Sequence, residues 1–222
     1  MQTTADILQA IHRIVVGDTD YPSSGEDDYD LRLGLVNDYI KEWEDEEGTL
    51  WNELWKMASF SSTSASSYDL SSTVSDLNFP GGFVELVSST GGSSYWDVKK
   101  LEDVRLLTND QTPWCYFLGN PQSGFTIYFN PNCVPGSGTI KFPYYKQATQ
   151  VTGGADKPEM SDITYLIHMV ASQVLSTDDP GESDKHFEIG QNKLRAMKTR
   201  NMMTPPWQTD RLEDKRGVGF GL

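Results

Sequence analysis

Residues 60–147 alternate short, aromatic-rich segments with turn residues, and this pattern constrains the fold more than any other feature of the chain. Residues 83–87 have the alternation of a half-buried strand, and a Gly-Gly turn separates them from Tyr95 and Trp96. Later strands are predicted at residues 113–118, 125–129 and 139–145. Because the connections between consecutive strands are short, we expect antiparallel pairing in a central sheet or small barrel.

The first predicted strand has an unusual composition. Residues 60–65 are rich in Ser and Thr, which suits an exposed strand at an antiparallel sheet edge. Disorder is the alternative for such a low-complexity run. We interpret the segment as an edge strand.

Amphipathic helices are predicted on both sides of the sheet. A first helix capped by Thr3 or Thr4 ends at Gly17, and a last helix is capped by Ser183 or Asp184 and continues to about residue 199. Other helices are predicted at residues 28–47, 99–107 and 163–175. The predicted fold class is α+β, one continuous unit in which residues 1–57 and 159–200 are helical and residues 58–150 are β. Residues 201–222 are expected to form an extended C-terminal tail.

Composition limits the classes of function. The net charge of −14 disfavours a surface that binds nucleic acid by neutralising phosphates. The apolar stretches are much shorter than the roughly 20 residues that cross a bilayer, and the first residues do not resemble a signal peptide. We therefore expect a protein of the cytoplasm without a membrane partner. Cys115 and Cys133 are expected to be free, mostly buried thiols on separate strands.

The charge is unevenly distributed along the chain. Acidic residues dominate from Asp18 to Glu53, whereas basic residues prevail from Lys185 onward. Such a distribution suits ordered assembly in which unlike surfaces of neighbouring molecules meet. The open alternative is that these charges only solvate ordinary helix faces.

Residue types that perform catalysis do not combine into a motif. His12, His168 and His186 are dispersed, and none has metal-ligand spacing to another His, Cys or Glu. His168 is expected to be a hydrogen-bonded structural histidine. The acids at residues 26–30 fit a helix N-terminus better than a calcium loop, and the chain lacks a GxSxG motif. We predict a protein that is not an enzyme and that uses no cofactor, metal or catalytic residue.

Aromatic residues of the predicted strands allow a second class of function. An exposed set could stack on sugar rings, as in a carbohydrate-binding β-sandwich, although burial in the core is the favoured interpretation. The set comprises Tyr95, Trp96, Trp114, Tyr116 and Tyr128.

Several short strings together resemble the head-to-tail adaptor proteins of tailed bacteriophages, also called connector or neck proteins. They are NDYIKEW at residues 37–43, YDL at 68–70, FTIYFNP at 125–131, GTIKFPYY at 138–145 and DKPEM at 156–160, before the helix at 163–175. Many members have a YxLP segment, an lxLxPxP strand end and a tixxyYyxxp strand before such a helix. Ser71 stands where the family often has Pro. The resemblance covers residues 28–175 and excludes the tail.

The resemblance implies a structural virion protein at the head-tail junction, assembled in the host cytoplasm. It implies a homo-oligomeric ring, commonly a dodecamer, that binds the portal protein, extends the DNA exit channel and docks the next tail or neck protein. DNA would pass through without specific binding. Alternatives are another virion component, for tail completion or decoration, and the carbohydrate-binding module.

Two residue sets are the candidates for these contacts. The expected channel-lining residues are Asp38, Glu42, Asp45 and Glu46. The expected contacts to the portal or to a neighbouring subunit are Lys193, Arg195, Lys198, Arg200, Trp207, Arg211 and Phe220.

Overall fold

The computed structural model describes residues 2–19, 21–104, 107 and 111–203. It confirms the predicted α+β fold. Two compact units divide the chain: a β unit, Leu54–Gln147, and a helical unit formed by the described residues on either side of it. The helices are α1 (Thr4–Val15), α2 (Asp27–Glu44), α3 (Leu101–Val104), α4 (Thr164–Leu175) and α5 (Pro180–Met203).

The helical unit contains α1, α2, α4 and α5, and its helix starts follow from local hydrogen bonds. The Thr3 side chain accepts from the Asp6 amide while the Asp6 carboxylate accepts from the Thr3 amide, which completes a capping box for α1. The acids of residues 27–30 lie in the first turn of α2, as predicted, where the helix dipole favours them.

The prediction for the start of α5 was wrong. The helix begins at Pro180, and the side chain of Asp179 accepts a hydrogen bond from the Glu182 amide. Proline suits a first helical position because it lacks the amide hydrogen that has no partner there. Ser183 is instead buried, and its hydroxyl donates to the Ser172 carbonyl of α4. The helix also continues to Met203, so residues 201–203, predicted as extended tail, are helical; residues 204–222 lie outside the described part of the chain.

The central helix of this unit is α4, which contacts α1, α2 and α5. Its predicted apolar stripe is buried, with Leu166 and Val170 fully inaccessible to solvent. Beyond the end of α2, Trp51 stacks on Trp43 with ring centroids 5.1 Å apart, and the Trp51 indole N–H donates to the Trp43 carbonyl. Burial of these rings is a large apolar contribution to the stability of the unit.

The β unit contains one mixed eight-stranded sheet that curls into a half-barrel. The strand order is β1-β8-β4-β5-β6-β7-β2, and β3 also pairs with β8. The strands are β1 (Trp55–Thr63), β2 (Ser67–Asp69), β3 (Leu77–Pro80), β4 (Phe83–Ser88), β5 (Ser93–Val98), β6 (Trp114–Asn120), β7 (Gly124–Phe129) and β8 (Ser137–Lys146).

Antiparallel pairing holds for most of this sheet but fails between β5 and β6, which are parallel. Residues 99–113 connect these two strands, and a connection of about a dozen residues or more is what a parallel crossover requires. The helix predicted at residues 99–107 is reduced to the single turn of α3 where the chain is described. The predicted edge strand is confirmed as β1, which is longer than expected and lies at one end of the sheet.

One face of the sheet encloses the core of the β unit. Alternate residues of several strands meet there, including Ile127 of β7 and Ile140 and Phe142 of β8, all fully buried. Cys115 belongs to this core, and Cys133 lies in a turn rather than on the expected strand; both are free thiols. Among the described residues, none of the helices combines the length and the apolar character needed to cross a bilayer.

Candidate functional site

The acidic candidates share one side of α2 and its C-terminal end. Asp38 and Glu42 lie one turn apart on the same face of α2, and Asp45 and Glu46 follow directly after its last residue, Glu44. The first three are exposed. Partial burial, followed by the nearby charge of Glu46, raises the pKa of Glu42. This acidic row, residues 38, 42 and 45, therefore remains a solvent-facing surface of the helical unit.

Glu46 has a different role from the acidic row. Its Oε1 atom lies 2.6 Å from Nζ of Lys198 on α5, and both side chains are about three-quarters buried. Nearby, Asn201 accepts a hydrogen bond from the Asn52 amide and donates one to the Leu50 carbonyl. These contacts attach the C-terminal turns of α5 to the segment that follows α2.

The basic candidates of α5 do not form one patch. Lys193 pairs with Asp162 at 3.5 Å, and Lys198 pairs with Glu46. Arg195 is exposed and donates to the amide oxygen of Asn192, while Arg200 is also exposed. Of the predicted basic set, Arg195 and Arg200 are thus the residues that the structure presents to solvent. Trp207, Arg211 and Phe220 lie outside the described residues.

His12 belongs to a structural network that joins α1 and α2. Its Nε2 atom lies 2.8 Å from an Asp18 oxygen, and its Nδ1 atom accepts from the guanidinium of Arg32 at 2.6 Å. Arg32 also pairs with Asp28. Because both ring nitrogens have partners and the residue is 5% exposed, His12 holds α1, the following loop and α2 together.

His168 and His186, which are dispersed in the sequence, meet between α4 and α5. Their Nδ1 atoms are 2.7 Å apart and their rings stack with centroids 5.0 Å apart. Burial, together with the neighbouring charges of His186 and Lys193, lowers the pKa of His168. The expected structural hydrogen bond of His168 is therefore present, with a partner that sequence spacing did not identify.

Two carboxylates beside a cleft of the helical unit also have structural partners. A cleft of about 500 Å³ is lined by residues that include Asp6 and Asp162. Hydrogen bonds from Thr3 lower the pKa of Asp6. Burial raises the pKa of Asp162, but hydrogen bonds from Thr164 and the charge of Lys193 outweigh it and the net shift is downward. Both carboxylates therefore hold helix starts, and across the described ranges no three His, Cys, Asp or Glu residues cluster as metal ligands would.

The aromatic set does not assemble into an open sugar-binding platform. Trp96 and Trp114 are buried, and the Tyr95 hydroxyl donates to Glu85. Tyr116 and Tyr128 are cross-strand neighbours whose rings stack on each other at 5.1 Å. These contacts support the interpretation of the aromatics as packing residues.

In a comparison with protein families, the model described as SU10 adaptor protein matches residues 2–210. The match includes both compact units and nearly the whole chain. No curated protein matches this sequence.

Proposed function

The chain belongs to the SU10 adaptor protein family, and we propose that it acts as a head-to-tail adaptor ring in a tailed bacteriophage. The family is one of phage structural adaptor proteins, which are components of the virion and are typically not enzymes. The single observation that carries the proposal is the family match over residues 2–210. The proposal includes three specific roles: attachment to the portal, formation of a ring and extension of the DNA channel.

The acidic row of α2 supports a role in the DNA channel. A channel must let DNA slide without adhesion, and exposed carboxylates repel phosphate over a Debye length of about 8–10 Å. Asp38 and Glu42 on α2 and Asp45 directly after it supply such a surface. We propose that this row faces the channel in the assembled ring, and that Glu46 instead stabilises each subunit through Lys198.

The C-terminal end of the chain supports a role in attachment. Arg195 and Arg200 expose guanidinium groups on the last turns of α5, and the tail beyond adds Trp207, Arg211 and Phe220. Arginine and large aromatic residues are enriched where proteins bind tightly to one another. We propose that these five residues contact the portal or a neighbouring subunit. Lys193 and Lys198, the other two candidates, form intramolecular ion pairs with Asp162 and Glu46.

The experiment is reconstitution with the portal of the same phage. The purified protein is mixed with portal rings, and complexes are measured by multi-angle light scattering and electron microscopy. The proposal predicts a coaxial ring of this protein on the portal. A protein that ignores the portal but binds the tail tube or the capsid surface would instead be a tail-completion or decoration protein.

A further inference from the structure

Strand β1 leaves the middle part of one sheet edge open. All nine residues of β1 pair with β8, from Trp55 opposite Tyr145 to Thr63 opposite Ser137. On its other side, β1 has no strand partner within the described part of the chain. At the end of β1 the Thr63 amide donates to the Tyr68 hydroxyl, so the open stretch is residues 57–61, which is roughly 16 Å long at about 3.3 Å per residue. Such an edge is a template on which another strand can pair.

The hydrogen bonds of β8 identify which backbone groups of β1 face outward. The carbonyl of Pro143 accepts from the Gly81 amide at 2.7 Å, so Pro143 points its backbone groups away from β1. Met57 lies opposite Pro143 and therefore also points its amide and carbonyl away from β8. By the two-residue period of a strand, Ser59 and Ser61 do the same. The open edge consequently offers the N–H and C=O groups of residues 57, 59 and 61.

The side chains of β1 alternate between an exposed face and a face that packs on the core. The side chains of Met57, Ser59 and Ser61 are exposed, whereas Ala58 is buried in the core and Phe60 packs at its rim. An added strand would therefore extend an apolar face on the Phe60 side. Its other face would lie beside small, exposed hydroxyl side chains.

We propose that residues 217–222 of a second copy of this chain occupy the β1 edge as an added strand. The sequence GVGFGL alternates glycine with Val218, Phe220 and Leu222. In an extended strand the apolar side chains lie on one face, next to Phe60, and the glycines lie on the other. The segment brings no charged side chain to the edge. This inference rests on the proposed ring, because it assigns the contact between neighbouring subunits.

The chain is long enough for its C-terminal segment to reach the β1 edge of a second copy, an arrangement called strand exchange below. Residues 204–222 follow the last described helical residue, and these 19 residues can span up to about 63 Å when extended. Strand addition uses main-chain hydrogen bonds for affinity and alternate side-chain contacts for specificity. A short terminal segment can thus link neighbours around a ring without a large preformed interface.

Cysteine cross-linking between two full-length variants tests the exchange. Both variants carry Cys133→Ser; one also carries Ser59→Cys and the other Gly219→Cys, which are expected on the same face of the extended sheet. The mixture is assembled on the portal, mildly oxidised and analysed by non-reducing electrophoresis and mass spectrometry. We expect a disulfide between the two variants. A control with Thr90→Cys in place of Ser59→Cys, in the exposed β4–β5 turn, should give none.

Two outcomes would overturn strand exchange. One is the absence of the disulfide between variants although both thiols react with a soluble maleimide. The other is a disulfide formed only within one chain when Ser59→Cys and Gly219→Cys are combined, which would mean that the tail covers its own β1 edge.

A proline variant separates the added strand from the fold. Ser59→Pro removes an amide hydrogen that faces away from β8, so β1 keeps its pairing with β8 and the circular dichroism spectrum should not change. We expect this variant to form rings at several-fold higher concentration than Ser59→Ala, which keeps the amide. Rings on the portal that form equally well with Ser59→Pro would refute the strand exchange and leave the adaptor function intact.

Discussion

Lys198 on α5 and Glu46 beyond the end of α2 form an ion pair with Nζ and Oε1 2.6 Å apart. One residue belongs to the basic C-terminal part of the sequence and the other to its acidic N-terminal part. The charge asymmetry is therefore partly neutralised inside a single chain. The acidic row at residues 38, 42 and 45 and the arginines at 195 and 200 are nevertheless exposed to solvent.

Loss of this ion pair should destabilise the helical unit. Lys198→Ala leaves the partly buried Glu46 carboxylate without its cation, and we expect the free energy of unfolding to fall by about 1 kcal/mol. Urea denaturation followed by circular dichroism measures the change. Lys185→Ala removes the exposed Lys185–Glu182 pair and serves as the control, with a smaller effect. Equal effects of the two substitutions would contradict a stabilising role for Lys198.

Acid should weaken the contact between α4 and α5 through its histidine pair. The pKa of His168 lies below its ordinary value of 6.5 in the folded chain, so below about pH 6.5 the unfolded chain binds more protons than the folded one. The free energy of unfolding should thus be highest above pH 6.5 and decrease as the pH falls below it. Urea titrations between pH 7.5 and 5 measure this dependence.

The control for the histidine pair is His168→Gln. This variant retains a polar side chain that cannot titrate, so the decrease in stability below pH 6.5 should become shallower. An unchanged pH dependence would show that other groups cause it.

Close packing of β4 and β8 should make Gly138 intolerant of a side chain. A Cβ atom there would collide with the carbonyl oxygen of Val87, which is backbone and cannot move aside cheaply. We expect Gly138→Ala to lower the free energy of unfolding by about 1–3 kcal/mol, as overpacking does. Gly136→Ala is the matched control, because a Cβ at that position meets no atom within 4 Å. Similar melting temperatures for the two variants would contradict this packing.

Local signals of the sequence were sufficient for much of the fold. Thr3 and Asp6 predict the start of α1, the Gly91-Gly92 turn predicts the β4–β5 hairpin, and the Ser/Thr-rich composition of residues 60–65 predicts an edge strand. These features depend on residues close together in the chain.

Features that depend on distant residues were not predictable in the same way. The parallel pairing of β5 with β6 depends on the path of residues 99–113, and β3 is too short to show alternation. His168 meets His186, and Lys198 meets Glu46, only because separate helices pack together. Of the candidate site, the shared helix face of Asp38 and Glu42 was implicit in their spacing, but the ion pair between Glu46 and Lys198 was not.

Neutralising the acidic row should make the ring adhere to DNA. The triple variant Asp38→Asn, Glu42→Gln, Asp45→Asn removes the charges that we propose to repel phosphate, and we expect increased binding of duplex DNA that weakens with added salt. Fluorescence anisotropy with labelled DNA on assembled rings measures it. The control variant neutralises Glu102 and Asp103 of α3, two acids that we do not assign to the channel. If both variants bind DNA equally, the acidic row is not the surface that repels DNA in the channel.

Removal of the tail should weaken attachment to the portal while the fold persists. The deletion should begin at residue 204, because Asn201 forms hydrogen bonds with Leu50 and Asn52 within the helical unit. We expect an unchanged circular dichroism spectrum and a loss of portal complexes in light scattering. Portal binding at full strength would show that residues 204–222 are not the attachment segment.

Electron cryo-microscopy of this protein bound to its portal tests the central claim most directly. We predict a ring coaxial with the portal in which the acidic row of α2 faces the DNA channel and the C-terminal residues contact the portal or the next subunit. A map in which the protein is absent from the portal, or occupies another position on the virion, would contradict the adaptor function.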